Sequence, residues 1–197
     1  MRRAKIPICL IMGLSLLSCS AVRPGGTEAL SGRLFQSGYS VVPPREKGWA
    51  IVDRDSYRLM LARPGPSLGE SYVAVASLVL LPSDLDDREL FLEHIRLARS
   101  KEYASNGIRI LSNEESLFNE KGDYCVRYRS ESVTGSGNPE TLVNEAIGFY
   151  CRHPAETTIA IKAEYSYRHH VENEDRDLEE KARRFLEAVN FESLTVN

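Results

Sequence analysis

The apolar positions of this chain recur with two different periods, and the change of period along the sequence marks out its elements. Over residues 157–168, Ile159, Ile161, Ala163, Tyr165 and Tyr167 alternate with Ala160, Lys162, Glu164 and Ser166. That period of two predicts a strand with one face against a core. Shorter runs at 38–42, 48–52, 57–62, 108–111, 123–133 and 142–151 read as further strands, the first stopped by Pro43-Pro44, which cannot donate to a ladder. Residues 72–81 are nearly all apolar, which predicts a central strand covered on both faces.

Two stretches keep helical spacing instead. Leu90, Phe91, Ile95, Leu97 and Ala98 predict a helix from 86 to 105, with Asp84, Asp86 and Asp87 at its positive end and Asn106-Gly107 as its stop. Leu178, Ala182, Phe185, Leu186 and Val189 predict a second helix over 174–190, opened by Glu174, Asp175 and Asp177. Strands in succession, broken by one central and one terminal helix, indicate an α+β domain: an antiparallel β-sheet with helices packed on it.

The pairs Gly38-Tyr39, Pro43-Pro44 and Gly48-Trp49, taken with this element order and size, resemble the PsbP-like α/β/α sandwich. The resemblance implies an accessory or binding role, because that fold carries assembly factors and binding proteins, and it assigns no active-site residue here. Trp49, the only tryptophan of the chain, is expected in the core.

The N-terminus reads as an export segment. Arg2, Arg3 and Lys5 precede an uncharged run from Ile6 to Leu17, about 12 residues long, which suits a secretory signal and is too short to span a bilayer. Leu16-Leu17-Ser18-Cys19 resembles the processing site of bacterial lipoproteins, in which a small residue precedes the cut and the cysteine thiol receives diacylglycerol. The resemblance implies that residues 1–18 are removed and that Cys19 anchors the protein to a membrane through lipid. It also implies a periplasmic address, and Ser20 in place of aspartate implies the outer membrane more than the inner. Residues 20–37, with Pro24-Gly25-Gly26 and Gly32, are expected to follow the lipidated Cys19 as a flexible tether (19–37 with the anchor), leaving 38–197 as a single domain.

Charge changes the picture in one respect. Loss of Arg2, Arg3 and Lys5 takes the formal charge from -3 to -6, so the exported chain is mildly acidic and without a basic stripe. Nucleic-acid binding is therefore not expected.

Of the four cysteines, Cys9 leaves with the signal and Cys19 is blocked by lipid, so Cys125 and Cys151 remain to pair in an oxidising compartment. Thr134-Gly135-Ser136-Gly137-Asn138-Pro139 signals a turn, and a hairpin centred on Asn138 sets Cys125 opposite Cys151. A bridge there closes a loop worth about 3 kcal/mol in chain entropy. One tension stands: Cys151 shares a face with Phe149 and Ile147, whereas Cys125 shares one with Arg127 and Arg129. Either both faces are partly covered or a bulge shifts the register.

The alternative for the same residues is a metal site or a thiol-histidine dyad built from Cys125, Cys151 and His153. It would make the protein a periplasmic hydrolase or a thiol- or metal-dependent enzyme. His169-His170 with Glu172, Glu174 and Asp175 offers a second cation-binding pattern, for which a polar loop is the simpler reading. No G-x-S-x-G, H-E-x-x-H, P-loop or dinucleotide-binding glycine pattern occurs. Acidic pairs such as Glu114-Glu115 and Glu179-Glu180 read as solvated surface. The chain is thus expected to be an envelope accessory or binding protein with an envelope protein as partner, without catalytic residues, cofactor or metal.

Overall fold

The computed structural model of the chain describes residues 30–83, 85–134 and 142–194. The signal, Cys19 and residues 135–141, on which most of the expected turn falls, lie outside these residues. In chain order the elements are β1 (Leu34–Gln36), β2 (Tyr39–Val41), β3 (Ala50–Arg54), β4 (Arg58–Pro64), β5 (Ser71–Leu80), α1 (Arg88–Ser105), β6 (Ile108–Phe118), β7 (Cys125–Thr134), β8 (Leu142–His153), β9 (Glu156–His170), α2 (Leu178–Glu187) and β10 (Asn190–Phe191). Seven strands form one sheet in the order β3-β4-β5-β9-β8-β7-β6, and β1-β2-β10 form a small second one. Every pairing is antiparallel. The fold is α+β, as the element order indicates.

Alternation along the long strands divides the core in two. Ile161, Ala163, Tyr165 and Tyr167 of β9 join Trp49, Leu59 and Leu61 in a cluster that takes in Leu178, Ala182, Phe185 and Leu186 of α2. Their neighbour Ala160 belongs to the other cluster, with Val126, Tyr128 and Tyr150 beneath Phe91, Leu92 and Ile95 of α1. Successive side chains of a strand point to opposite faces, so α1 and α2 cover opposite faces of the large sheet. The layers are therefore helix, sheet, helix, with Tyr39 and Val41 of the small sheet packed on the α2 side.

Several boundaries differ from the pattern-based reading. The central strand is β9, which lies between β5 and β8; β5 comes third, and its Tyr72, Ala74 and Ala76 are buried while the alternate residues are half-buried. Residues 34–36, assigned to the tether, form β1, because the Ser37-Gly38 turn returns the chain against β2. Gly38 has φ 77°, a conformation that favours glycine.

On α1 the buried positions are Phe91, Leu92, Ile95 and Arg99, while Leu90 and Leu97 face solvent. The helix starts on Asp87, whose carboxylate accepts from the backbone N–H groups of Glu89 (2.8 Å) and Leu90 (3.0 Å). Likewise α2 begins only at Leu178, because Asp175 turns the preceding residues by accepting from the Asp177 N–H at 3.0 Å.

Candidate functional site

Cys125 and Cys151 stand opposite each other on β7 and β8, with α-carbons 4.1 Å apart and an S–S bond of 2.12 Å. The register is the one a hairpin centred on Asn138 gives, and it runs without a shift from Cys125↔Cys151 to Val133↔Val143. The face tension resolves in favour of partial cover. Cys125 is buried with Phe149, whereas Arg127 and Arg129 run out along the flank of α2, Arg129 lying 3.6 Å from both Glu145 and Glu179.

The bond leaves neither sulfur as a thiol, and His153 is engaged as well. Its Nδ1 accepts from the Ala155 N–H at 3.2 Å, so Nε2 carries the proton and points it at the carbonyls of Gly38 (3.2 Å) and Glu192 (3.0 Å). The imidazole thus ties the end of β8 to the start of β2 and to the chain beyond β10. Cys125, Cys151 and His153 are brought together as structure, with no thiol-histidine dyad.

The second histidine pattern disperses. His169 is buried, stacked on Tyr167 with ring centroids 4.7 Å apart, and bonds Glu145 at 3.1 Å. His170 bonds the Leu68 carbonyl at 3.2 Å, while Asp175 serves Tyr72 and Lys181. Among the described residues no group of three metal-ligating side chains forms.

A different site emerges beside α2. Residues 42–46 and the helix enclose a groove of about 490 Å³, its lining part apolar (Val42, Pro43, Pro44, Phe185) and part charged (Arg45, Glu46, Lys181, Arg184, Glu187). Phe185 of that lining also packs on an aromatic cluster drawn from β5, β9 and the residue before β3. Tyr165 of β9 lies 5.7 Å from Trp49, 6.3 Å from Tyr72 and 6.2 Å from Phe185, centroid to centroid. Arg63 of β4 sets its guanidinium 4.0 Å from the Tyr72 ring and 5.7 Å from the Trp49 ring.

Part of this cluster is tied off. The Tyr72 hydroxyl donates to Asp175 at 2.7 Å, and Lys181 donates to the same carboxylate at 2.5 Å. Burial, then the hydrogen bond to Asp175, raises the Tyr72 pKa, so that hydroxyl stays protonated. Burial, followed by the hydrogen bond to Glu70, pushes Tyr167 up to about 12. Three groups are not tied off: Trp49 Nε1, Arg63 Nε and the Tyr165 hydroxyl are buried without a hydrogen-bond partner.

No family model and no curated protein matches the chain. Several solved structures are similar to it, among them the following two. One is the solution structure of cyanobacterial PsbP (CyanoP) from Synechocystis sp. PCC 6803, with TM-score 0.45 and 14% identity over 90% of this chain and 99% of that one. The other is the crystal structure of the Saccharomyces cerevisiae Ran-binding protein Mog1p, with TM-score 0.41 and 10% identity over 78% of this chain and 89% of that one. Neither transfers a residue, ligand or partner to this protein.

The residues that matter most in these sites are ones the pattern reading passed over. Arg63 follows Leu59 and Leu61 at period two, so it falls on the inward face of β4; a cation in that register was the available signal. Arg99 likewise sits four residues after Ile95 on the buried stripe of α1. Its partner Glu115, read as solvated, has a side chain only 6% exposed and accepts from Arg99 Nε at 2.8 Å. Glu70 carried no signal at all, yet it is buried and accepts from Ser67 N–H, Tyr167, His170 N–H and Asn173.

Proposed function

We propose that the chain is a lipid-anchored protein of the bacterial envelope, held at the periplasmic face of the outer membrane through Cys19, whose domain acts by binding as an accessory or assembly component. The observation that carries this reading is the groove between residues 42–46 and α2, where apolar Val42, Pro43, Pro44 and Phe185 stand beside charged Arg45, Glu46, Lys181 and Arg184. Concave sites with an apolar floor and a few convergent polar groups are where ligands bind. The enzymatic alternative loses its support, because the two sulfurs are bonded to each other and both nitrogens of His153 are engaged.

The test is expression of the full chain in a diderm host, followed by detergent phase partition and intact mass. The expected product begins at Cys19, carries the mass of added acyl chains and enters the detergent phase, whereas Cys19→Ser stays in the aqueous phase. A mature protein without lipid mass would overturn the anchored reading. Mild detergent extraction then asks for a stoichiometric envelope protein partner, retained by the parent chain and lost when the groove residues Arg45 and Arg184 are replaced by Ala.

A further inference from the structure

We propose that the corner of the domain formed by Phe35, Tyr57 and Leu80 is a membrane-contact surface, which seats the domain on the zwitterionic lipid of the bilayer that holds Cys19. This deepens the anchored reading above and rests on it.

Exposure singles out the corner. Phe35 and Tyr57 are 58% and 61% exposed, and among the described residues no other phenylalanine, tyrosine or tryptophan is exposed. Both line one groove of about 480 Å³. Gln36 Nε2 ties β1 to the β3–β4 turn by donating to the carbonyls of Asp55 (2.8 Å) and Arg58 (3.0 Å), and Arg54 donates to the Phe35 carbonyl at 3.2 Å. The two rings therefore share one end of the large sheet. The Leu78 N–H donates to the Tyr57 carbonyl at 2.9 Å, which brings Leu80, 81% exposed and two residues on, to the same end. A ring with a polar tip, as in Tyr57, suits the boundary between lipid and water.

The path of the chain chooses the occupant. Cys19 and Leu30 are eleven residues apart, so the lipid-bearing residue lies at most about 40 Å from Leu30. Leu30 packs on the α2-side core, and four residues later Leu34 opens β1, so the chain enters the domain beside the corner. Leu68 and Val171 are exposed too, but they lie past the other ends of β5 and β9, about 30 Å away along the ten residues of β5. The connection keeps Phe35 and Tyr57 within reach of lipid, and brings Leu68 there only near full extension. Charge then fixes the kind of surface, since Arg54 and Arg58 are balanced by Asp53, 3.4 Å from Arg58, and by Asp55 in the turn. A corner without net charge suits zwitterionic lipid and gains nothing from an anionic one.

The full chain, isolated from a diderm host and reconstituted in phosphatidylcholine vesicles, carries one tryptophan reporter at a time. Phe35→Trp, Tyr57→Trp and Leu80→Trp report on the corner, and Leu68→Trp and Val171→Trp on the far end. The parent chain, whose Trp49 is buried, gives the background. Emission added at the corner is expected to move to shorter wavelength and to be quenched when the lipid carries brominated acyl chains, whereas the far-end reporters do neither. Phe35→Ser with Tyr57→Ser is expected to lower the seated-to-free ratio read by the Leu80 reporter at least about tenfold, and added salt to leave it unchanged. Far-ultraviolet circular dichroism of each variant checks that the fold is intact.

On a chain whose intact mass includes the acyl chains, an unquenched corner or equal quenching at both ends would overturn the seating alone. So would a Leu80 reporter indifferent to loss of both rings. A corner shifted to shorter wavelength but unquenched means that protein covers it, a second copy or another chain, and removes the membrane as occupant. Quenching released by salt would remove the zwitterionic assignment. A chain without acyl mass overturns the anchored reading, and the seating falls with it.

Discussion

Tyr128 occupies the space that a side chain at position 148 would need. The two residues face each other across β7 and β8, and a Cβ at Gly148 would lie 2.5 Å from the Tyr128 ring and 2.4 Å from the Ala163 carbonyl. The displaced ring would take its partners with it, since Tyr128 donates to Glu164 at 2.6 Å and carries the Arg99 guanidinium 3.4 Å from its centroid. Gly148→Ala is expected to cost about 3 kcal/mol through overpacking against backbone. Tyr128→Phe, which keeps the ring and loses one hydrogen bond, is expected to cost about 1–2 kcal/mol. Urea unfolding of the two variants checks the order; a Gly148→Ala protein as stable as the parent would contradict it.

Arg99 is the charged member of the buried stripe on α1, and its cost is met by partners. Glu115 accepts at 2.8 Å, Asn113 at 3.1 Å, and the hydroxyl of Tyr103 completes the set. Removing one member of a buried pair strands the other, so Arg99→Met is expected to destabilise by about 3 kcal/mol. Replacing both, as Arg99→Met with Glu115→Leu, restores most of that loss. A double-mutant cycle measures the coupling, and additive single effects would show that the pair does not act as a unit.

These networks mark the limit of what the sequence makes legible. Periodicity locates β9, α1, the Cys125–Cys151 register and the helix-covered antiparallel sheet, because each depends on a repeat of apolar residues or on a turn centre. It passes over residues that break the repeat, and reads one of them, Glu115, as solvated. Arg63, Arg99 and Glu115 look exposed from their charge, and only their inward register, supplied by neighbouring apolar positions, argues otherwise. β1 and β10 are three and two residues long, too short to carry a period, and form because the Ser37-Gly38 turn and the end of α2 bring them beside β2. The groove is invisible in sequence because residues 42–46 and 181–188 meet only in the folded chain.

The disulfide joins residues 26 apart, and both cysteines are buried. Neither sulfur should react with a thiol reagent in the native, unreduced protein, and reduction should lower stability by about 3 kcal/mol on the loop-entropy estimate. Replacing Cys125 and Cys151 together by Ala should give the same loss and make stability indifferent to reductant. Native-state labelling at either position would remove the premise.

Glu70 links stability to pH. Burial alone would raise its carboxyl, but hydrogen bonds from Asn173 (2.7 Å), His170 N–H (3.2 Å), Ser67 N–H (3.0 Å) and Tyr167 (3.1 Å) outweigh burial and hold it below its ordinary 4.5. Asp175 is held below 3.8 in the same way, with burial opposed chiefly by Lys181 and Tyr72. A carboxyl depressed in the folded state binds protons more readily when unfolded. Its contribution is therefore complete above the unfolded value and disappears as pH falls through the folded one. Glu70→Gln keeps the shape but removes the charge that these four donors meet, so it should cost about 2 kcal/mol at neutral pH. The gap between parent and variant should narrow once pH drops below about 4.5, where the unfolded parent takes up a proton that the folded carboxylate does not, and should close as pH falls through the lower folded value. The variant should still lose stability in acid, since the folded state holds the Asp175 carboxyl below its ordinary value too. Urea unfolding at pH 7, 4 and 3 separates the outcomes: a gap that stays constant with pH would mean that packing, and not the carboxylate, is what position 70 contributes.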